Sequence, residues 1–304
     1  MTTLGQLIAH TRHALSGFGN AQDAVSALSA PLDATSTTVS VDDARAVGGS
    51  PIAARGTAEV DFEVLRVKSI DPVDGTITLF PFGRGYNGTT AVAHATGTEI
   101  RFNPAWPAST VAQHINGVLT EIYPSVYAVK AHETVFPSDR GAIDLPGDAV
   151  SVLAVYVEDE QRADQWVRED RWDFKKDSST IGKGLRVGGH RRPGLALRVM
   201  YKARPVRFDL SGALTQDFAA VTGLTERCAD LIQIGVAARM APFIDVSKLP
   251  HLGVAPRDSE GSAPGVGATQ ARLLYSLFQQ RIDQEAAVLA QEHPIRLHRT
   301  GVSI

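Results

Sequence analysis

Apolar residues in this chain recur at two different spacings, and the spacing switches four times along its length. Side chains sharing a helix face return every third or fourth residue, and those sharing a strand face return every second. A segment patterned for one period does not settle into the other structure, so the switches set the order of elements. Residues 3–16 hold Leu4, Leu7, Ile8 and Leu15 at helical spacing behind a threonine cap. From 35 to 102 the period falls to two. In AEVDFEVLRVKSID one strand is expected, with Val60, Phe62, Val64 and Arg66 on one face and Glu59, Asp61, Glu63, Leu65 and Val67 on the other. A turn at DPVDG leads into TITLF and then FGRGYNGTTAVAHATGTEIRF. This segment reads as a small β-barrel or strongly curved sheet of about five strands.

Helix returns at 110–123, where Ser109 or Thr110 is the expected cap and Val111, Ile115, Val118, Leu119 and Ile122 share a face. Pro124 ends it. Gly117 inside this helix costs about 1 kcal/mol against alanine, which a close approach by another helix would explain. Residues 131–210 turn to strands again, four or more with turns at regular intervals, as in a β-sandwich or jelly-roll-like module. After 214, Leu224, Cys228, Leu231, Ile232, Gly235 and Ala238 form one helical stripe. A second runs through Ala271, Leu274, Tyr275, Phe278, Ile282, Ala286 and Leu289. The Pro/Gly/Ser-rich stretch 245–267 between them is expected to be an exposed, mobile loop.

None of these helices can bury its stripe alone. The expectation is therefore an α+β fold: a helical bundle core carrying two inserted all-β modules, a small β-barrel and a β-sandwich/jelly-roll-like one. The spans would be an N-terminal core helix in 1–34, β module 1 in 35–104 and a core helix in 105–130. β module 2 follows in 131–210, then C-terminal core helices in 211–292 and an extended tail in 293–304.

Bulk composition narrows the function classes. Hydrophobic residues make up 43% and charged residues 21% of the 304, as in ordinary globular proteins. A net charge of -3 gives no support to binding nucleic acid through a broadly basic surface. The single cysteine, Cys228, excludes a disulfide framework and a cysteine-rich zinc site, and its helical stripe marks it as a core residue. No signal peptide or membrane-spanning run is apparent, so synthesis in a reducing cytoplasm and no membrane partner are expected.

The chemical motifs are few. GRGYNG contains G-x-G but neither the third glycine of a dinucleotide fingerprint nor the Gly-Lys-Ser/Thr of a P-loop. It reads as a turn. His94 has no His, Cys or carboxylate at metal spacing, its nearest acid in sequence being Glu99, and it reads as a partly exposed loop histidine held by hydrogen bonds. The acids Glu158, Asp159 and Glu160 beside Arg162 and Asp164 read as a solvated hairpin tip, with calcium as the alternative. GGHRRPG at 188–194 reads as a turn with exposed arginines, or as a contact with nucleic acid or an acidic partner. Trp106, Trp166 and Trp172 read as core or interface anchors. No catalytic, cofactor-binding or metal-binding residue is assigned.

The run RGYNGTTAVAHATGTEI, with the strand DFEVLRVKSID and the turn to TITLF before it, resembles a small β module of tailed-bacteriophage structural proteins. The residues that carry this are Arg84, Gly85, Gly88, Thr89, Thr90, Ala93, His94 and Gly97. The C-terminal helix and tail, ARLLYSLFQQRIDQEAAVLAQEHPIRLHRT, resemble those of phage head-to-tail adaptor (head-completion connector) proteins, and the 110–123 helix is similar in kind. The resemblance implies a non-enzymatic virion protein at the head–tail junction, in a homo-oligomeric ring of about twelve copies. It implies contacts with the portal and with neck or tail-completion proteins, and DNA passing through the ring without sequence recognition. It also implies a tail that docks on the portal, through Pro294, Ile295, Arg296, Leu297, His298, Arg299, Val302 and Ile304. Two other readings stay open. One is a tail, baseplate or capsid-decoration protein whose β modules bind partners or host glycans, with Trp166 and Trp172 stacking on sugars. The other is a metal-dependent hydrolase.

Overall fold

The computed structural model describes residues 1–16, 23–44, 56–136, 143–159, 161–162, 165–178, 182–188, 193–210, 214–242 and 266–294. They fall into two compact units. The first comprises Met1–Val118, Phe208–Phe218 and Ala229–Phe278, and the second Leu119–Arg207, Ala219–Cys228 and Gln279–Ile304.

The first unit is built around a curled, half-barrel sheet. Its strands are β1 (Ala24–Ala27), β2 (Thr38–Ser40), β3 (Thr57–Val60), β4 (Glu63–Asp71), β5 (Thr76–Leu79) and β6 (Glu99–Phe102), in the order β1-β6-β3-β4-β5-β2. Neighbours pair antiparallel. The curl brings the two outer strands together at one end, where Leu28 and Val41 bridge. Thirteen buried residues fill the inside, among them Leu28, Val60, Leu65, Ile77, Ile100 and Phe102. The β4–β5 turn, Asp71 to Gly75, projects into solvent with Val73 85% exposed. Its shape comes from Asp71, whose carboxylate accepts the backbone N–H of Val73 and of Asp74.

The expected single strand across AEVDFEVLRVKSID is two strands. Val60 pairs with Glu63, and Asp61 and Phe62 make the turn between them, Asp61 at φ 53°. The sequence hid this turn because it contains no glycine or Asn-Gly pair. The turn resets the alternation: Ala58 and Leu65 share the core face, and so do Val60 and Glu63, while Glu59 and Val64 share the other.

Also in this unit, α1 (Leu4–Ser16) packs on α4 (Ala229–Met240). Leu4, Leu7 and Leu15 are fully buried, as their spacing required. Helix α2 (Ala108–Glu121) approaches α4 at Gly117, where a Cβ would run into the Arg239 guanidinium. Gly235 of α4 lies so near Val118 and Phe278 that a Cβ there would sit 2.6 Å from the Phe278 ring. Phe278 belongs to α5 (Val266–Glu292).

The second unit holds two sheets. Strands β7 (Ala128–Val135), β9 (Ala149–Glu158), β10 (Trp166–Glu169) and β13 (Ala196–Ala203) are ordered β10-β9-β13-β7. Strands β8 (Ile143–Asp144), β11 (Trp172–Ser178) and β12 (Gly182–Val187) are ordered β11-β12-β8. One cluster of thirteen buried residues draws on both, from Val155, Val157, Leu197, Val199 and Tyr201 on one sheet to Ile143 and Leu185 on the other. Within the short helix α3 (Phe218–Thr222) the chain passes from the first unit to the second.

The expected helical bundle core with inserted β modules is overturned: the molecule is mostly β, with only five α-helices among the described residues. The reason lies in the two apolar clusters. Each set of strands buries thirteen side chains of its own, so each carries its core with it and needs no helical one beneath. The span 245–265 of the expected loop lies outside the described residues, and α5 begins at Val266.

Candidate functional site

Glu63 is 1% exposed on the apolar face of the curled sheet. A carboxylate there loses its hydration and must find other partners. It finds them in the loop 84–94. Arg84 forks onto it, Nε to Oε1 at 2.6 Å and Nη2 to Oε2 at 2.8 Å. The Gly85 and Val92 amides donate to it at 2.9 and 3.2 Å. His94 Nε2 lies 3.0 Å from Oε2, and His94 Nδ1 lies 2.9 Å from Asp61 Oδ2.

The remaining loop groups serve the same closure. Arg84 also donates to the carbonyls of Asp33, Ser36 and Val92. The Thr89 hydroxyl accepts the Val64 amide at 3.0 Å and donates to Tyr86 O at 2.8 Å. The His94 backbone exchanges two hydrogen bonds with Leu32, at 2.8 and 2.9 Å. Gly85 sits at φ 57°, and a Cβ there would stand 2.7 Å from Thr89 O, so the close approach that lets its amide reach Glu63 requires glycine.

Burial alone would raise the Glu63 pKa, but the hydrogen bonds from Arg84 and His94 and from the two amides outweigh it and hold it at about 2. Burial alone would lower that of His94, but its hydrogen bonds to Asp61 and Glu63 push it up to about 9. At neutral pH the site is therefore a chain of alternating charge, Arg84⁺, Glu63⁻, His94⁺, Asp61⁻. The expectation of a partly exposed His94 is corrected: it is 5% exposed, and its acids are Asp61 and Glu63 rather than Glu99. The two carboxylates occupy opposite ring nitrogens, so they do not converge on a common point. Among the described residues no group of three or more His, Cys, Asp or Glu is arranged to hold a metal.

On the opposite sheet face a second carboxylate is buried. Glu59, 3% exposed, takes Arg12 of α1 at 2.5 Å and the Ala108 amide at 2.6 Å. Arg12 also donates to Trp106 O at 2.7 Å. Glu59 thus caps α2 from a distance, and the expected caps, Ser109 and Thr110, lie inside the first turn instead. Burial raises the Glu59 pKa despite Arg12. These groups border a cleft of about 310 Å³ that also reaches Asp61, Glu99 and Arg101. Its charges pair off, Arg12 with Glu59 and Arg101 with Glu99, so the arrangement works as a staple between sheet and helices.

No family model matches this chain, and neither does any curated protein.

The other residues singled out from the sequence scatter. Of the tail residues, Pro294 is exposed, while Ile295, Arg296, Leu297, His298, Arg299, Val302 and Ile304 lie outside the described residues, as do 189–192 of the basic run. Cys228 is buried at 3%. Glu158 and Asp159 lie at the β9–β10 connection, where the Asp159 amide bonds Gln165 O at 2.8 Å. Trp172 packs against the two-sheet core, and Trp166 lies under the Arg198 guanidinium at 4.3 Å. Glu59 and Glu63, the two buried acids that organise the first unit, are not among the residues that motif and spacing pick out. A signal for them is nonetheless present: acids four apart inside a strand-patterned apolar stretch.

Proposed function

We propose that this chain is a structural protein of a tailed-phage virion, acting as a head-to-tail adaptor that forms a ring beneath the portal and encircles the passing DNA. The observation that carries this is the state of His94. Both its ring nitrogens are engaged by carboxylates and its side chain is buried, so the residue that most invites a catalytic reading is used to fasten a loop. The same holds for the rest of the run. Arg84, Gly85, Thr89 and His94 each make a bond that closes the loop on the sheet. Residues that resemble a phage β module are thus those on which the module's shape depends. The packing of the half-buried Trp172 against the core weighs against a glycan-stacking tail protein, which would use both rings.

In this reading the C-terminal residues from Pro294 onward dock on the portal. The test is to mix purified protein with portal and image the product by negative stain, with mass photometry of the protein alone. Rings that seat on the portal support the proposal. A strictly monomeric chain that ignores the portal overturns it. His94→Ala should lower the Tm and leave ring assembly intact; lost assembly at unchanged Tm would instead put this loop at a subunit interface.

A further inference from the structure

The end of β13 and the residues after it, Tyr201 to Arg207, carry three cations: Lys202, Arg204 and Arg207. Burial alternates along Tyr201, Lys202, Ala203 and Arg204, so Lys202 and Arg204 leave the chain on the same side, about 7 Å apart. They meet aromatic rings there. Lys202 Nζ lies 4.0 Å from the centre of the Tyr127 ring and 5.5 Å from that of Tyr123, and it donates to Pro124 O at 2.9 Å. The Arg204 guanidinium lies 5.2 Å from the Tyr123 ring centre. Arg204 and Arg207 are exposed.

Several arginines elsewhere close on acids: Arg12 on Glu59, Arg84 on Glu63, Arg198 on Glu133 and Arg227 on Glu285. Here, among the described residues, no carboxylate meets any of the three. A ring holds a cation in place without cancelling its charge. The result is a pair of held positive charges, with the exposed Arg207 three residues further on, in a protein of net charge -3.

We propose that Lys202 and Arg204, set over Tyr123 and Tyr127, together with the exposed Arg207, form a contact site for nucleic acid that holds backbone phosphates without reading sequence. A duplex offers its charges as a stiff, regularly spaced row, one per strand about every 3.4 Å of axis, and pre-positioned cations suit such a row better than a flexible acidic peptide. The inference stands on this cluster and does not need the adaptor reading.

The experiment is fluorescence anisotropy of a labelled random-sequence DNA duplex of about 30 bp, titrated with the full chain at several salt concentrations between about 50 and 200 mM. The wild type should bind, more weakly as salt rises. R204Q/R207Q leaves Lys202 and its tyrosines in place. It should weaken low-salt binding at least about tenfold and flatten the log–log salt slope by about 1.8, at 0.9 per lost phosphate contact. K68Q/K175Q, which removes equal charge from exposed positions elsewhere, should stay within about twofold. Equal losses in both pairs, no loss in R204Q/R207Q, or no binding by the wild type at low salt would each overturn the proposal. Tighter binding of poly-glutamate than of duplex would overturn it too, and would assign the patch to an acidic protein. Ring assembly is read separately by mass photometry, so the two proposals can fail independently.

Discussion

Glu63 faces the inside of a sheet where its neighbour across the hairpin is Val60, and what makes that tolerable is charge supplied from one loop. The consequence is a defined response to pH. His94 has its pKa raised from 6.5 to about 9, so its contribution to stability is complete below 6.5 and fades as pH rises toward 9. Glu63 has its pKa lowered from 4.5 to about 2, so its contribution is complete above 4.5 and is lost as pH falls toward 2. The network should therefore stabilise the first unit most between about 4.5 and 6.5. Denaturation midpoints measured from pH 6 to 9 should fall for the wild type, while His94→Gln starts lower, by on the order of 2 kcal/mol, and stays nearly level. Parallel curves would show that His94 is not the titrating group. Glu63→Ala should cost more, about 3–5 kcal/mol, because it leaves two buried cations without their shared partner.

Among the elements, α2 depends on a residue from another part of the chain. Glu59 caps its first turn and neutralises Arg12 at once, so Glu59→Ala should cost about 2–4 kcal/mol, the loss of a cap plus a stranded arginine. Adding Arg12→Ala should recover part of that, and a double-mutant cycle by thermal melting would show the coupling. Gly235→Ala tests the helical contact. Its Cβ would meet Phe278 at 2.6 Å and Val118 at 2.9 Å, so a net loss of about 1–2 kcal/mol is expected in spite of the gain in helix propensity. A rise in Tm would mean that the Phe278 ring moves aside freely. Legibility in the sequence follows the same physics. Helices with a single apolar stripe, such as the one through Leu4, Leu7 and Leu15, are visible because the period is local. The close neighbour of Gly117 is visible as well, since a glycine that weakens a helix needs a reason. The Asp61–Phe62 turn is not, because Asp61 accepts a positive φ but is followed by Phe62 rather than the glycine that marks a two-residue hairpin turn, so the pair looks like more strand. Nor are the partners of His94, because Asp61 and Glu63 become its neighbours only after the sheet curls.

At the level of the whole molecule, the expected helical core fails because period shows what a segment is, not how much apolar surface it keeps for itself. Two sets of strands with thirteen buried residues each keep apolar cores of their own, beside the faces that the helices bury. The assembly proposal makes its own prediction at this scale: a chain truncated after Pro294 should keep its Tm and its ring and lose the portal. Loss of the ring as well would place the tail between subunits. The β4–β5 turn offers a practical outcome of a different kind. From Asp71 to Gly75 the chain leaves the sheet, exposes Val73 and returns; Asp71 accepts the Val73 and Asp74 amides, and the Val41 amide ties Gly75 O at the far end. Lengthening a surface loop costs little, since closure entropy grows only with the logarithm of its length. A foreign epitope spliced in beside Val73 would be carried outward on every copy of the protein, which makes this turn the place to hang an antibody tag or a gold-labelling peptide when locating the chain in an assembled particle.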